Sequence, residues 1–103
     1  MAARLGMLTN MLVALVAQVA DDAFARVAKL VLHLGANHGE LRDGRTRLPV
    51  RITHQDIASM AGVNRQTVTR ILSELRRQGI LALARAGIAI LDIDRLRRAV
   101  QGE

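Results

Sequence analysis

Apolar residues recur along most of this chain at helical spacing. The pattern breaks at one polar, glycine-containing stretch near the middle and at short apolar runs near the end. At the N-terminus Leu5, Leu8, Leu12, Leu15 and Val19 are spaced 3-4-3-4, the a/d seam of a short coiled coil of about two heptads. Met7, Met11, Val13 and Val16 lie off that seam, and a helix apolar on more than one stripe is normally covered by something else. It either folds back on its own domain or is a dimerisation helix whose remaining face meets a further domain. The second is preferred, because the later segments can close a core without it. Asp21 and Asp22 then give an acidic start to a second helix. That helix runs to about Leu34, with Phe24, Val27, Ala28, Leu30, Val31 and Leu34 on one face and Gly35 as its stop.

From Ala36 to Arg47 the chain is polar and reads as a loop or hairpin turning at Asp43-Gly44. Leu48 to Ile52 is a short extended piece, an edge strand at most because Pro49 lacks an N–H. Thr53-His54-Gln55-Asp56 is a capping-box pattern that opens a helix through Ala61. Gly62 breaks that helix, Asn64 caps the next one, and Gly79 stops it after about Gln78. Ile80 to Leu91 reads as two short strands around Arg85-Ala86-Gly87, and Asp92 or Asp94 opens a last helix carrying Leu96 and Val100. The expected fold class is mainly α with a small β element.

Composition narrows the chemistry. Phe24 is the single aromatic residue, so the core must be aliphatic, and the absence of cysteine excludes disulfides and thiol catalysis. The formal charge of +6 and sequence pI near 11.6 favour an anionic partner such as nucleic acid or acidic lipid. Every basic residue except Lys29 is arginine. Arginine suits phosphates and guanine edges, but the bias is read mainly as genome base composition. An early Arg4, an apolar run and Ala23-Phe24-Ala25 have the outline of a leader peptide. Thr9, Asn10 and Gln18 interrupt that run too soon for a membrane span, so a cytoplasmic protein without membrane association is expected. His33 and His38 lack the carboxylate or cysteine company of a metal site. No nucleophile–base pair and no glycine-rich phosphate loop occurs. The expectation is therefore no enzyme, no metal and no cofactor in this chain.

The segment 65–78 is the most informative. At about 100° per residue, Val68, Ile71, Leu72 and Leu75 share one arc, and Arg65, Gln66, Thr69, Arg70, Ser73, Arg76 and Arg77 share the opposite one. A merely solvated face would usually mix both signs of charge; here only Glu74, at the boundary, is acidic. A short helix with Ile57 and Ala58 inward, a turn at Gly62 with Val63 plugging the core, and a second amphipathic helix make a helix-turn-helix. In that motif the second helix offers its N-terminal residues to base edges: Arg65, Gln66, Thr69 and Arg70.

The stretch RITHQDIASMAGVNRQTVTRILSELRRQGIL, residues 51–81, resembles the C-terminal winged helix-turn-helix of the Crp/Fnr family of bacterial transcription regulators. The match is I-T-x-Q-D-I-A, a glycine at position 62, R-x-T-V-x-R, and the leucines that follow at fixed spacing. The resemblance reaches outward, with the N-terminal helix where the family has its dimerisation helix and GIAILDIDRL like the wing strand and the helix after it. It divides the chain into a dimerisation helix over residues 1–20 and a winged helix-turn-helix over 21–103. It implies a homodimer, held by the Leu5-to-Val19 seam, on a pseudo-palindromic site in double-stranded DNA. By position, base reading falls on Arg65, Gln66 and Arg70. Many relatives have Glu where Gln66 stands, so the family's consensus half-site does not carry over. Phosphate contacts fall on Thr53, Gln55, Asn64 and Thr67, with Arg85 at the wing turn. Thr53 and Asn64 would cap their helices whatever else they do, whereas packing needs neither Arg65 nor Arg70. The family's effector-binding β-roll has no counterpart here, so the effector-sensing domain is absent from this chain. Two rivals remain: a dimerisation or protein-interaction module that keeps the winged helix without reading DNA, and a membrane-surface protein using the N-terminal helix.

Overall fold

The computed structural model describes residues 23–49, 51–85 and 87–101. The expected dimerisation helix, with Leu5, Leu8, Leu12, Leu15 and Val19, lies outside the described residues.

The first described helix, α1, covers residues 23–38 and buries Val27, Ala28, Val31 and Leu34. The expected stop at Gly35 is wrong. Gly35 is buried inside the helix, and a Cβ placed on it would lie 2.6 Å from the Ile90 Cδ1 of the sheet below. The residue is small because helix and sheet meet there, not because the chain turns. The end comes at Gly39, whose N–H donates to the Gly35 carbonyl at 3.1 Å, while the Asn37 amide donates to the His33 carbonyl at 3.0 Å.

A hairpin follows, with strands β1 (Glu40–Arg42) and β2 (Arg45–Arg47) paired in the register Glu40↔Arg47, Leu41↔Thr46 and Arg42↔Arg45. Its two turn residues, Asp43 and Gly44, have φ of 54° and 74°, the pair of positive values a type I′ turn needs. The extended piece over Leu48–Ile52, expected to be an edge strand at most, forms no strand among its described residues. β2 ends one residue earlier and lies inside the sheet, between β1 and a later strand. Leu48 adds one bond, its N–H donating to the Ile88 carbonyl at 2.9 Å. Pro49 has no N–H to continue the ladder.

Helix α2 spans His54–Ala61 and α3 spans Arg65–Arg77. Between them Gly62 adopts the left-handed conformation at φ 72°, and the Gly62 and Val63 N–H groups both donate to the Ala58 carbonyl, at 2.9 and 3.1 Å. That closure ends α2 and sets its angle to α3. After α3, Gly79 N donates to the Arg76 carbonyl and Ile80 N to the Leu75 carbonyl, at 2.9 and 3.0 Å. These are the paired bonds of a Schellman stop. Strands β3 (Leu81–Ala84) and β4 (Gly87–Ile90) form the wing hairpin, and the sheet order is β1-β2-β4-β3, all antiparallel. Asp92 accepts from Arg95 N at 3.0 Å and caps α4 (Ile93–Val100).

The largest fully buried side chains are Ile57, Leu72, Leu75, Leu81, Leu96, Val27, Val31 and Val68, drawn from all four described helices and the wing. Among the described residues no polar or charged residue is buried. The fold is therefore held by aliphatic packing, as the composition demands, and its polar side chains stay at the surface.

Candidate nucleic-acid interface

α3 carries the interface because its two faces differ so sharply. Val68, Ile71, Leu72 and Leu75 are buried against α2 and the sheet, so the opposite arc must point away. Arg65, Gln66, Thr69, Arg70, Arg76 and Arg77 on that arc are all exposed, and Ser73 and Glu74 are half-buried at its margins. Among the described residues the side chains of Arg65, Gln66 and Arg70 take no hydrogen-bond or ion-pair partner. Three of the four expected base-reading groups thus stand free on one surface.

The margin of the helix is different. Arg77 donates to the Glu74 carboxylate at 2.8 Å and Gln78 donates to the same oxygen at 3.0 Å. Those two hydrogen bonds, Arg77's first, hold the Glu74 carboxyl below its ordinary range, and Glu74 in turn pushes the Arg77 guanidinium up. The charge of Arg77 is locally compensated, which leaves Arg65, Arg70 and Arg76 as the exposed cations of α3 with no ion-pair partner among the described residues, the first two in its N-terminal half. There the first turn contains no acidic residue at all, and the positive end of the helix dipole adds to Arg65.

The expected phosphate-contacting residues lie at the starts of both helices and at the wing turn. Thr53 is the N-cap of α2: its Oγ1 accepts from Asp56 N at 3.0 Å while its own N–H donates to Asp56 Oδ2 at 2.9 Å. The reciprocal pair completes the capping box and leaves the Thr53 hydroxyl proton to donate elsewhere. Asn64 caps α3, its Oδ1 accepting from Thr67 N at 2.7 Å, and its amide nitrogen stays available outward. Gln55 is exposed and donates to Ser59 Oγ at 3.3 Å within α2; Thr67 is half-buried in the first turn of α3. Arg85 stands apart from the helix pair, exposed at the wing hairpin. The fold therefore gathers Thr53, Gln55, Asn64, Arg65, Gln66, Thr67, Thr69 and Arg70 onto two adjoining helices and keeps Arg85 on a separate element.

One participant was missed. His54, the first residue of α2, places its Nδ1 3.0 Å from Thr69 Oγ1 on α3. Helical periodicity assigns residues to faces within one helix. It does not give the register between two helices across a turn, so nothing in the sequence linked His54 to Thr69.

Among the described residues no group of three or more histidines or carboxylates could hold a metal ion, and no helix is long and apolar enough to cross a membrane.

Residues 25–99 match the family described as the Crp-like helix-turn-helix domain. Over 74 residues the chain is 34% identical to the transcriptional regulator LdrP of Thermus thermophilus, covering 72% of this chain and 37% of LdrP. Over 77 residues it is 32% identical to the CRP-like cAMP-activated global transcriptional regulator of Mycobacterium tuberculosis, covering 75% of this chain and 34% of that one. The chain spans about a third of the length of these relatives. The crystal structure of the Thermus thermophilus catabolite activator protein shares the fold, with a TM-score of 0.74 at 24% identity over 98% of this chain and 44% of the other. The CO-dependent transcription factor CooA of Carboxydothermus hydrogenoformans gives 0.72 at 26% identity over 90% and 43%. With the exposed cationic helix, the capped helix pair and the family match in agreement, the chain belongs to the Crp-like helix-turn-helix domain family.

Proposed function

We propose that the protein reads a specific, pseudo-palindromic DNA sequence as a homodimer, with α3 in the major groove of each half-site. The observation that carries this reading is the exposed surface formed by Arg65, Gln66 and Arg70, whose side chains have no partner among the described residues. Arg65 and Arg70 each suit guanine O6 and N7, which accept both arms of a guanidinium. Gln66 can donate and accept at once and suits adenine. Thr69 contacts one further base edge. Thr53, Gln55, Asn64 and Thr67 hold the phosphate backbone beside the helix ends, and Arg85 reaches it from the wing. The seam Leu5, Leu8, Leu12, Leu15 and Val19 joins two copies, which sets the half-sites one helical turn apart, about 34 Å. This reading puts the protein in the cytoplasm beside the chromosome, assigns it no cofactor, and leaves effector sensing to a separate domain.

Selection of bound sequences from a random duplex pool tests the proposal in a single experiment. The expected product is an inverted repeat with guanines facing Arg65 and Arg70 and a spacing of about ten base pairs between half-site centres. Recovery of unenriched sequence, or of a single unrepeated half-site, contradicts it.

A further inference from the structure

We infer that His54 is a specificity-determining positioning residue, which fixes the direction of the Thr69 hydroxyl so that Thr69 reads only bases bearing an amino group in the major groove. This rests on the reading of α3 as the base-reading helix, and goes beyond it by assigning a base class and a residue that does not itself face the bases.

The geometry is local and specific. Thr69 lies on the exposed arc of α3, between Arg65 and Gln66 one turn before it and Ser73 one turn after it. A free threonine hydroxyl rotates and either donates or accepts, so alone it tells one base edge from another poorly. Here the hydroxyl is tied. His54 Nδ1 sits 3.0 Å from Thr69 Oγ1, within the range of a good hydrogen bond. With its proton on Nε2, the tautomer this inference assigns to the ring, Nδ1 can only accept, and the Thr69 hydroxyl donates to it. The two oxygen lone pairs are then all that Thr69 offers to DNA. In the major groove the groups able to donate to them are adenine N6 and cytosine N4; guanine and thymine present acceptors at those positions.

The anchor is well placed to hold this direction. His54 is half-buried at the first position of α2, and the helix start is fixed by the reciprocal Thr53–Asp56 capping bonds, which do not involve the ring. The α2–α3 angle is fixed in turn by the Gly62 and Val63 bonds to the Ala58 carbonyl. His54 can therefore be replaced without dismantling the helix pair. Its side chain contributes one oriented bond to a base-reading group from the neighbouring helix.

Asn tests the chemistry directly, because its Oδ1 branches from Cγ as the histidine Nδ1 does and accepts the same hydroxyl. The experiment is duplex selection followed by binding titrations with the wild type, His54→Ala, His54→Asn, Thr69→Val and the His54→Ala/Thr69→Val pair, after checking by thermal melting that each is folded. The base pair whose preference disappears in Thr69→Val is the one Thr69 reads. At that pair the wild type should prefer adenine or cytosine over guanine or thymine by about fivefold, roughly what one net hydrogen bond supplies. His54→Ala should flatten that preference without changing the others, His54→Asn should restore it, and His54→Ala should have no further effect at that pair once Thr69 is Val. A wild-type preference for guanine or thymine there overturns the assigned hydroxyl direction. Equal weakening on every sequence in His54→Ala overturns the positioning role in favour of a backbone contact. An unchanged preference in His54→Ala overturns the inference while leaving α3 as the reader, whereas a wild type that selects no sequence at all removes both.

Discussion

Arg65 breaks a local rule of helix starts, as the base-reading role proposed for it would require. A cation in the first turn of a helix opposes the helix dipole, and natural first turns favour Asp or Glu there. α2 and α4 follow that preference with Asp56 and Asp94, while α3 opens with Arg65 and has no acid in its first turn. Arg65 is exposed and has no partner among the described residues, so no described contact ties it to the fold. Arg65→Glu should therefore stabilise the domain by about 0.5–1 kcal/mol in urea melts while abolishing tight binding to the selected duplex. A variant that loses stability along with binding would show that Arg65 has a structural role. Gln66 and Arg70 were legible in the sequence for the same reason as Arg65: each sits on the polar arc of a helix whose apolar arc is fully spent on the core. His54 was not, because its role depends on how close two helices come.

At the scale of elements, the described helices were legible from end signals and periodicity, apart from the end of α1. The capping box at Thr53, the Asn64 cap, the left-handed Gly62 and the Schellman stop at Gly79 lie where the residue types placed them. The helix end at Gly35 was misread because the residue serves a tertiary contact instead of its usual local role. Gly35 has the composition of a helix stop but marks the approach of α1 to Ile90. The hairpin turning at Asp43-Gly44 was legible, whereas the place of β2 inside the sheet was not, because its partner β4 is remote in sequence. A measurable ranking follows. An added Cβ at Gly39 meets the backbone of Gly35, which cannot step aside, whereas at Gly35 it meets the end of the Ile90 side chain. Gly39→Ala should cost more than Gly35→Ala, for which the helix-propensity gain of about 1 kcal/mol offsets the crowding. Ile90→Val should cost about 1 kcal/mol alone and distinctly less when combined with Gly35→Ala. Additive costs in the double variant would contradict the contact. At the far end of α3, Glu74 has its carboxyl pKa lowered by Arg77 and Gln78. Its stabilisation is complete above the ordinary carboxylate range and is lost as pH falls through the lowered native value. The effect is small because the pair lies at the surface, where solvent screens it. Melts at decreasing pH should show a slightly larger decline for the wild type than for Glu74→Gln; identical declines would mean that the staple contributes nothing.

For the molecule as a whole, an aliphatic core without buried polar groups among the described residues carries the stability, and the surface is left to electrostatics. The net charge of +6 and the side chains proposed to contact phosphates predict that binding weakens steeply with salt, as displaced counterions return. That salt-dependent attraction is blind to sequence, so the central claim, that the open face of α3 reads bases, is tested by separating the two contributions. The most direct measurement is the affinity of Arg70→Ala relative to wild type, at one salt concentration, for the selected duplex and for a scrambled duplex of equal length. The account predicts a loss of about 1–3 kcal/mol on the selected duplex, relaxed preference at one base pair, and a much smaller loss on the scrambled one. Equal losses on both duplexes would contradict it, leaving Arg70 as a phosphate contact and α3 without a demonstrated reading role.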